Sequence, residues 1–266
     1  MKIEVLVATM HQKDLLLHER MNLKCDVLLA NQCDEWRFDE QEFDYGKVKM
    51  ISSKTRGVGK NRNYAISLAE GDILLFADDD IVYYEETLNG VKKAFEELPD
   101  ADVILFGIDM TKNGEVFDRR RCEKKKISWW NSLKYGTCRM AVRKESITKA
   151  NIWFSTLFGG GTIYGSGEDS LFLMDCFRAG LKVYSHPYIL GKCAKDSSSW
   201  FEGFNQKYFF DKGAWINCAF PKLKHILKWY FVLKFNKRTE LSMKDVLNQI
   251  NCGIKSYEKI IKYEKN

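Results

Sequence analysis

The apolar run Ile73-Leu74-Leu75-Phe76-Ala77, bounded by Gly71 and closed by Asp78-Asp79-Asp80, constrains the fold more than any other stretch. Five consecutive apolar residues between a glycine and a charge cluster read as a short strand buried on both faces. Such strands belong to parallel sheets covered by helices, whose ligands sit beyond the carboxyl ends of the strands. The aspartates therefore stand where such a fold keeps its chemistry. Two unit charges about 4 Å apart repel by about 4 kcal/mol at an effective dielectric of about 20. A hard divalent cation relieves that repulsion, and carboxylate oxygens suit Mg²⁺ or Mn²⁺. A helix N-cap with an acidic first turn is the competing explanation, because residues 81–98 also read as helical.

The rest of the N-terminal part alternates in the same way. Residues 3–8, 25–30, 47–51, 103–108, 139–142 and 183–184 read as strands. Residues 15–21, 84–98, 144–151 and 170–179 read as helices, and a polar, basic loop over 52–63 precedes another helix that Gly71 ends. This alternation implies an α/β fold with a mainly parallel sheet flanked by helices. From about residue 197 only helical patterns remain, over 201–212, 221–235 and 241–263. The expected organisation is an α/β domain over residues 1–196 and a helical C-terminal subdomain over 197–266.

Composition narrows the setting. The chain has 266 residues, 45% hydrophobic and 29% charged, as expected of a globular protein rather than a disordered one. No run approaches the roughly 18 apolar residues of a membrane span. The first residues read as a strand and not as a signal peptide. Eight cysteines form no C-x-x-C pair, which points to reduced thiols in a cytoplasmic setting. The net charge of +6 is concentrated in Arg119-Arg120-Arg121, in Lys124-Lys125-Lys126 and in residues 219–238, which carry six Lys/Arg and no Asp/Glu. A solvated basic face is the ordinary explanation of each cluster. Anionic lipid and phosphate-bearing ligands are the alternatives, and nucleic acid is not expected without an aromatic-interleaved motif.

Four features occur in order. A first strand ends in Ala8-Thr9. A basic loop runs Thr55-Arg56-Gly57-Val58-Gly59-Lys60-Asn61-Arg62-Asn63. The aspartate-tipped strand follows, and then Gly165-Ser166-Gly167-Glu168-Asp169-Ser170-Leu171-Phe172 ahead of a helix. Together with Asn151-Ile152-Trp153-Phe154 before Phe158-Gly159-Gly160, this order resembles the family 2 glycosyltransferases, inverting enzymes of the GT-A fold. The resemblance runs from Met1 to about Pro187. A lone Asp-x-Asp would carry little weight; the ordered combination carries much more.

The resemblance implies a Rossmann-like GT-A domain that binds a nucleoside diphosphate sugar, expected to be a UDP-sugar, with Mn²⁺ or Mg²⁺ as cofactor. Asp80 would ligate the metal, Asp78 would contact the ribose or share the metal, and Asp79 would act as the spacer. Ala8, Thr9, Asn31, Arg56, Lys60 and Arg62, with Asp78 and Asp79, would line the nucleotide-sugar site. Asp169 would be the base that deprotonates the acceptor hydroxyl, and Glu168 would orient it. Gly167 and Trp200 are acceptor-side candidates. The acceptor would be a glycan or a lipid-linked saccharide, as in bacterial surface polysaccharide synthesis.

Two departures from the family pattern stand out. The second strand ends in Asn31 where relatives place an acidic residue, although an amide can still pair with a base edge. Many relatives carry a histidine after the last strand; here His186 lies too early, and the alternatives are Asp196 or a serine of the 194–200 segment as substitute or water on the metal, with Lys195 a further candidate cation near the diphosphate. In the C-terminal part, Leu223, Ile226, Leu227, Tyr230, Phe231 and Leu233 fall near helical spacing among lysines. Core packing is the expectation for that stripe. The alternative is peripheral contact with the anionic inner face of a membrane. The competing functions are a nucleotidyltransferase on a similar scaffold, which would release pyrophosphate, and a non-catalytic glycan-binding protein.

Overall fold

The computed structural model describes residues 1–194 and 203–264. The expectations placed on Lys195, Asp196 and Trp200 lie outside the described residues. The chain divides into two compact units, Met1–Thr156 with Glu168–Ser197, and Leu157–Gly167 with Ser198–Asn266.

The first unit is built on one sheet, with strand order β3-β4-β2-β1-β5-β10-β7-β11-β6. Strands β1 (Ile3–Met10), β2 (Asp26–Gln32), β4 (Gly46–Ser53) and β5 (Ile73–Asp78) form a parallel block with β1 at its centre. The edge strand β3 (Arg37–Phe43) joins β4 antiparallel. Strand β10 (Met140–Arg143) inserts antiparallel between β5 and β7 (Val103–Lys112). Strand β11 (Val183–Ala194) runs parallel to β7 and pairs antiparallel with β6 (Ile81–Tyr83). The short strands β8 (Glu115–Arg120) and β9 (Lys125–Lys126) pair with β7 and β11. The sheet is thus mixed, and its parallel block is the part that carries the motif residues.

The side-chain alternation of these strands explains the layers. Val5, Val7, Val27, Leu29, Ile73 and Leu75 point to one buried cluster, with Leu17 of α1 (Leu17–Arg20) and Val91 and Phe95 of α3 (Thr87–Glu97). Leu6, Leu28, Leu74 and Phe76 point to the other, with Ile66 of α2 (Val58–Leu68), Ile147 of α5 (Lys144–Lys149) and Phe172 of α6 (Glu168–Arg178). Each side chain fully buried this way contributes about 1.5–3 kcal/mol.

Register then sets the site. Ala8 lies beside Ala30 on one side and Asp78 on the other, and Thr9 lies beside Asn31. The carboxyl ends of three parallel strands therefore meet along one edge.

Three local expectations are corrected. The basic segment is not a loop throughout, since α2 begins at Val58 and places Lys60 and Arg62 on a helix. Residues 81–83 are strand rather than helix, and α3 begins only at Thr87, so Asp80 does not open a helix. The last strand has 12 residues, held through two register shifts between Ser185 and Lys192.

The second unit contains α7 (Gln206–Ala219), α8 (Lys224–Phe235) and α9 (Met243–Glu264). Glycines let two of these helices touch backbone to backbone. A Cβ on Gly213 would sit 2.1 Å from the carbonyl oxygen of Ile250, and one on Gly253 would meet that of Phe210 even more closely. Asn205 caps α7, its side chain accepting from the Tyr208 amide at 2.9 Å.

Candidate active site

Arg62 is the centre of the arrangement. It lies on α2, only 5% exposed, with its guanidinium turned towards the strand ends. Nη2 donates to Asp78 Oδ1 at 2.7 Å, and Nη1 donates to Glu168 Oε1 at 3.1 Å and to Asp169 Oδ1 at 3.3 Å. One buried cation thus joins the end of β5 to the first turn of α6. The guanidinium also lies 5.4 Å from the centre of the Phe154 ring. Helix α2 reaches this depth because Gly59 has no side chain, since a Cβ there would sit 2.1 Å from the carbonyl oxygen of Ser155.

The electrostatics follow from crowding. Burial alone would lower the Arg62 pKa, but Asp78, Asp169 and Glu168 together raise it, so it stays charged. The Glu168 carboxyl is pushed up to about 8, first by burial and then by the negative charge of Asp169. The shared guanidinium offsets only part of that shift. Burial and the neighbouring Asp169 thus favour the protonated form of Glu168, while Arg62 is divided among three acids. Asp169 is held differently. Thr137 donates to its Oδ1, and its side chain keeps 32% of its surface accessible. A carboxylate fixed at one oxygen and open to solvent is a geometry that can take a proton from an incoming hydroxyl.

The aspartate triplet divides its work along the strand end. Asp79 Oδ2 accepts from Thr9 Oγ1 at 2.6 Å, which ties the tip of β5 to the end of β1. Asp78 faces Arg62. Asp80 keeps an accessible face, yet the protein packed around it, and then Asp78, raise its pKa. The Cys193 thiol donates to Asp80 Oδ2 at 3.5 Å, and that thiol is itself raised to about 12, first by burial and then by Asp80. Among the described residues no group of three or more His, Cys, Asp and Glu side chains stands in ligating geometry. The oxygens of Asp78 and Asp80 fit a hard cation of the kind bound through one or two carboxylates and completed by substrate phosphates and water.

Other expected site residues are placed less directly. Ala8 lies in register with Asp78. Asn31 is fully buried, with its amide bonded to the backbone N–H and C=O of Gln12 and to Ser52 Oγ, so it pins the turn after β1. Arg56 pairs with Asp34 and donates to the carbonyls of Cys33, Lys54 and Thr55, which fixes the loop before α2. Lys60 is exposed on α2. Gly167, at φ 116°, belongs to the second unit, where a Cβ would meet the Trp215 ring at 2.5 Å. His186 is buried, 3.4 Å from Glu97. Sequence reading did not single out Thr137 or Cys193. Neither carries a motif signal, and each is 32 or more residues away from the acid it touches.

Residues 22–152, 131 of the 266, match the sequence model of glycosyl transferase family 2. An uncharacterized glycosyltransferase of Haemophilus influenzae is 26% identical over 165 residues, which make up 59% of this chain and 54% of that protein. The chain thus spans about half the length of this curated relative. The crystal structure of S. aureus TarS 1-349 superimposes with a TM-score of 0.61 at 17% identity, covering 97% of this chain and 92% of that one. Its complex with UDP-GlcNAc gives 0.64 at 16% identity over the same shares. These likenesses show the GT-A fold.

Proposed function

We propose that the protein is an inverting, metal-dependent glycosyltransferase. It moves a sugar from a nucleoside diphosphate sugar, a UDP-sugar in the first instance, to a hydroxyl of a glycan or lipid-linked saccharide. The observation that carries this reading is the bridge made by Arg62. It brings Asp78, at the donor end, within reach of the same guanidinium as Glu168 and Asp169, about 90 residues further along the chain. The TarS complexes with UDP-GlcNAc and UDP support the choice of donor.

In this reading the acceptor oxygen attacks the anomeric carbon as the bond to the diphosphate breaks. The acceptor proton passes to the open oxygen of Asp169, while Arg62 and Thr137 hold the other oxygen in place. Glu168, favoured in its neutral form, keeps a second negative charge away from that carboxylate. Direct displacement inverts the anomeric centre. Asp80, with Asp78, would hold Mn²⁺ or Mg²⁺, which family 2 enzymes of this fold typically use and which stabilises charge on the departing diphosphate. Ala8, Thr9 and Lys60 line the approach of the nucleotide, with Asn31 and Arg56 shaping the loops around it. Residues 1–196 then carry donor binding and catalysis, and 197–266 serve the acceptor side. Bacterial surface polysaccharide assembly at the cytoplasmic face of the membrane is the setting that fits such an acceptor.

The test is a panel of sugar nucleotides with and without Mn²⁺, read first by thermal shift and then by product. A donor that binds the folded state raises its stability by RT ln(1 + [L]/Kd). Transfer releases the nucleoside diphosphate; release of pyrophosphate instead would make the protein a nucleotidyltransferase.

A further inference from the structure

Helix α8 presents its apolar side to water. Ile226, Trp229, Tyr230 and Leu233 recur at i, i+3, i+4 and i+7 and are 69%, 50%, 51% and 66% exposed. Leu223, just ahead of them, is 47% exposed. The opposite side packs through the buried Val232 and Phe235. Lys224 and Lys228 also belong to the packed side, bonded to Glu258 and Asn251 of α9. The outward stripe is therefore additional to what the helix uses to pack, which corrects the expectation that the whole stripe is core.

The rim of the stripe is cationic. Lys222, Lys234, Lys237 and Arg238 are exposed, and residues 219–239 contain no Asp or Glu. Lys234 lies 5.3 Å from the centre of the Tyr230 ring. A second copy of the same face would bring cation against cation, because a two-fold interface joins a patch to itself. An anionic bilayer supplies both complements at once, acyl chains for the stripe and negative headgroups for the rim. Trp and Tyr suit the depth between them, with an apolar ring and one polar atom. Among the described residues no helix is long and apolar enough to cross a membrane, so the contact would lie in the plane of the surface.

We propose that α8 is a membrane-docking helix that seats Ile226, Trp229, Tyr230 and Leu233 in an anionic lipid surface, with Lys222, Lys237 and Arg238 on the headgroups. This is independent of the transferase reading, since lipid binding and sugar transfer are measured separately. The experiment is co-sedimentation of the full chain with phosphatidylcholine vesicles, with and without phosphatidylglycerol, at low and high salt. The chain should pellet with the anionic vesicles and be released by salt. The triple substitution Ile226→Ser, Trp229→Ser, Leu233→Ser should lower partitioning at least about tenfold, with the unfolding midpoint and circular dichroism kept. The charge variant Lys222→Glu, Lys237→Glu, Arg238→Glu should weaken it about fivefold or more per cation. No binding to anionic vesicles would overturn the proposal, as would equal binding by both variants. A dimer in solution that the triple substitution dissolves would overturn it in favour of self-association.

Discussion

Helices α6 and α8 break the ordinary rule of which side chains face water, in opposite senses. Helix α6 buries Glu168 in its first turn beside Asp169, and α8 exposes Trp229, Tyr230 and Leu233. Buried acids are rare unless paired, and contiguous exposed apolar residues are rare on a free surface. In α6 the exception is compensated inside the protein by Arg62, and burial beside Asp169 favours the neutral form of Glu168. In α8, among the described residues, nothing of the same unit covers the apolar stripe. An exception matched from within marks a site that is already assembled; one left open marks a surface prepared for something outside.

Substitutions sharpen that contrast. The largest expected effect is at Arg62. Arg62→Ala leaves Asp78, Glu168 and Asp169 crowded without their cation, and removing one partner of a buried charge network costs about 3–5 kcal/mol. Chemical denaturation checks this. An unchanged midpoint would mean that the three acids do not depend on the guanidinium.

Glu168 gives a smaller effect with a definite sign. Its folded pKa of about 8 lies above the ordinary carboxyl value, so the folded state holds a proton that the unfolded chain has released. Its contribution is fully present below the unfolded pKa and is lost as pH rises towards about 8. Glu168→Gln should flatten the fall in stability between about pH 4.5 and 8, as read by thermal unfolding across that range. A variant that tracks the parent at every pH would show that Glu168 ionises normally.

The smallest effect belongs to α8. Leu233→Ser and Trp229→Ser should each change stability in water by only about 0.5 kcal/mol or less, as expected for surface positions. A loss of several kcal/mol would show that the stripe is covered in the folded protein, and would remove the contrast with α6.

Much of the candidate site is legible in the sequence because its charges are contiguous. Asp78-Asp79-Asp80 after an apolar run, and Glu168-Asp169 before a helix, announce themselves locally. What could not be read was who neutralises whom. Arg62 looks like a loop cation meant for phosphates, because Gly57 and Gly59 disguise the start of α2. In the folded chain the helix begins at Val58, and the close approach of Gly59 to Ser155 lets it bring Arg62 inward. Asn31 and Arg56 look like free donors, yet Asn31 bonds the backbone of Gln12 after β1, and Arg56 bonds the carbonyls of Cys33, Lys54 and Thr55. The fold was hidden in similar ways. Strand β3, Arg37-Phe38-Asp39-Glu40-Gln41-Glu42-Phe43, lies at the sheet edge beside β4, and its polar sequence carries no buried run. Strand β11 contains Pro187 and Gly191, which read as breakers, while the register shifts between Ser185 and Lys192 let it continue past both.

The proposed division of labour is between the aspartates at the end of β5 and the acid pair of α6. It is tested most directly by measuring donor binding and transfer separately in Asp80→Asn and Asp169→Asn. Asp80→Asn should lose metal-dependent binding of the sugar nucleotide. Asp169→Asn should bind the donor as the parent does and transfer sugar about 10²–10⁴-fold more slowly. Transfer by Asp169→Asn at the parent rate would contradict the account.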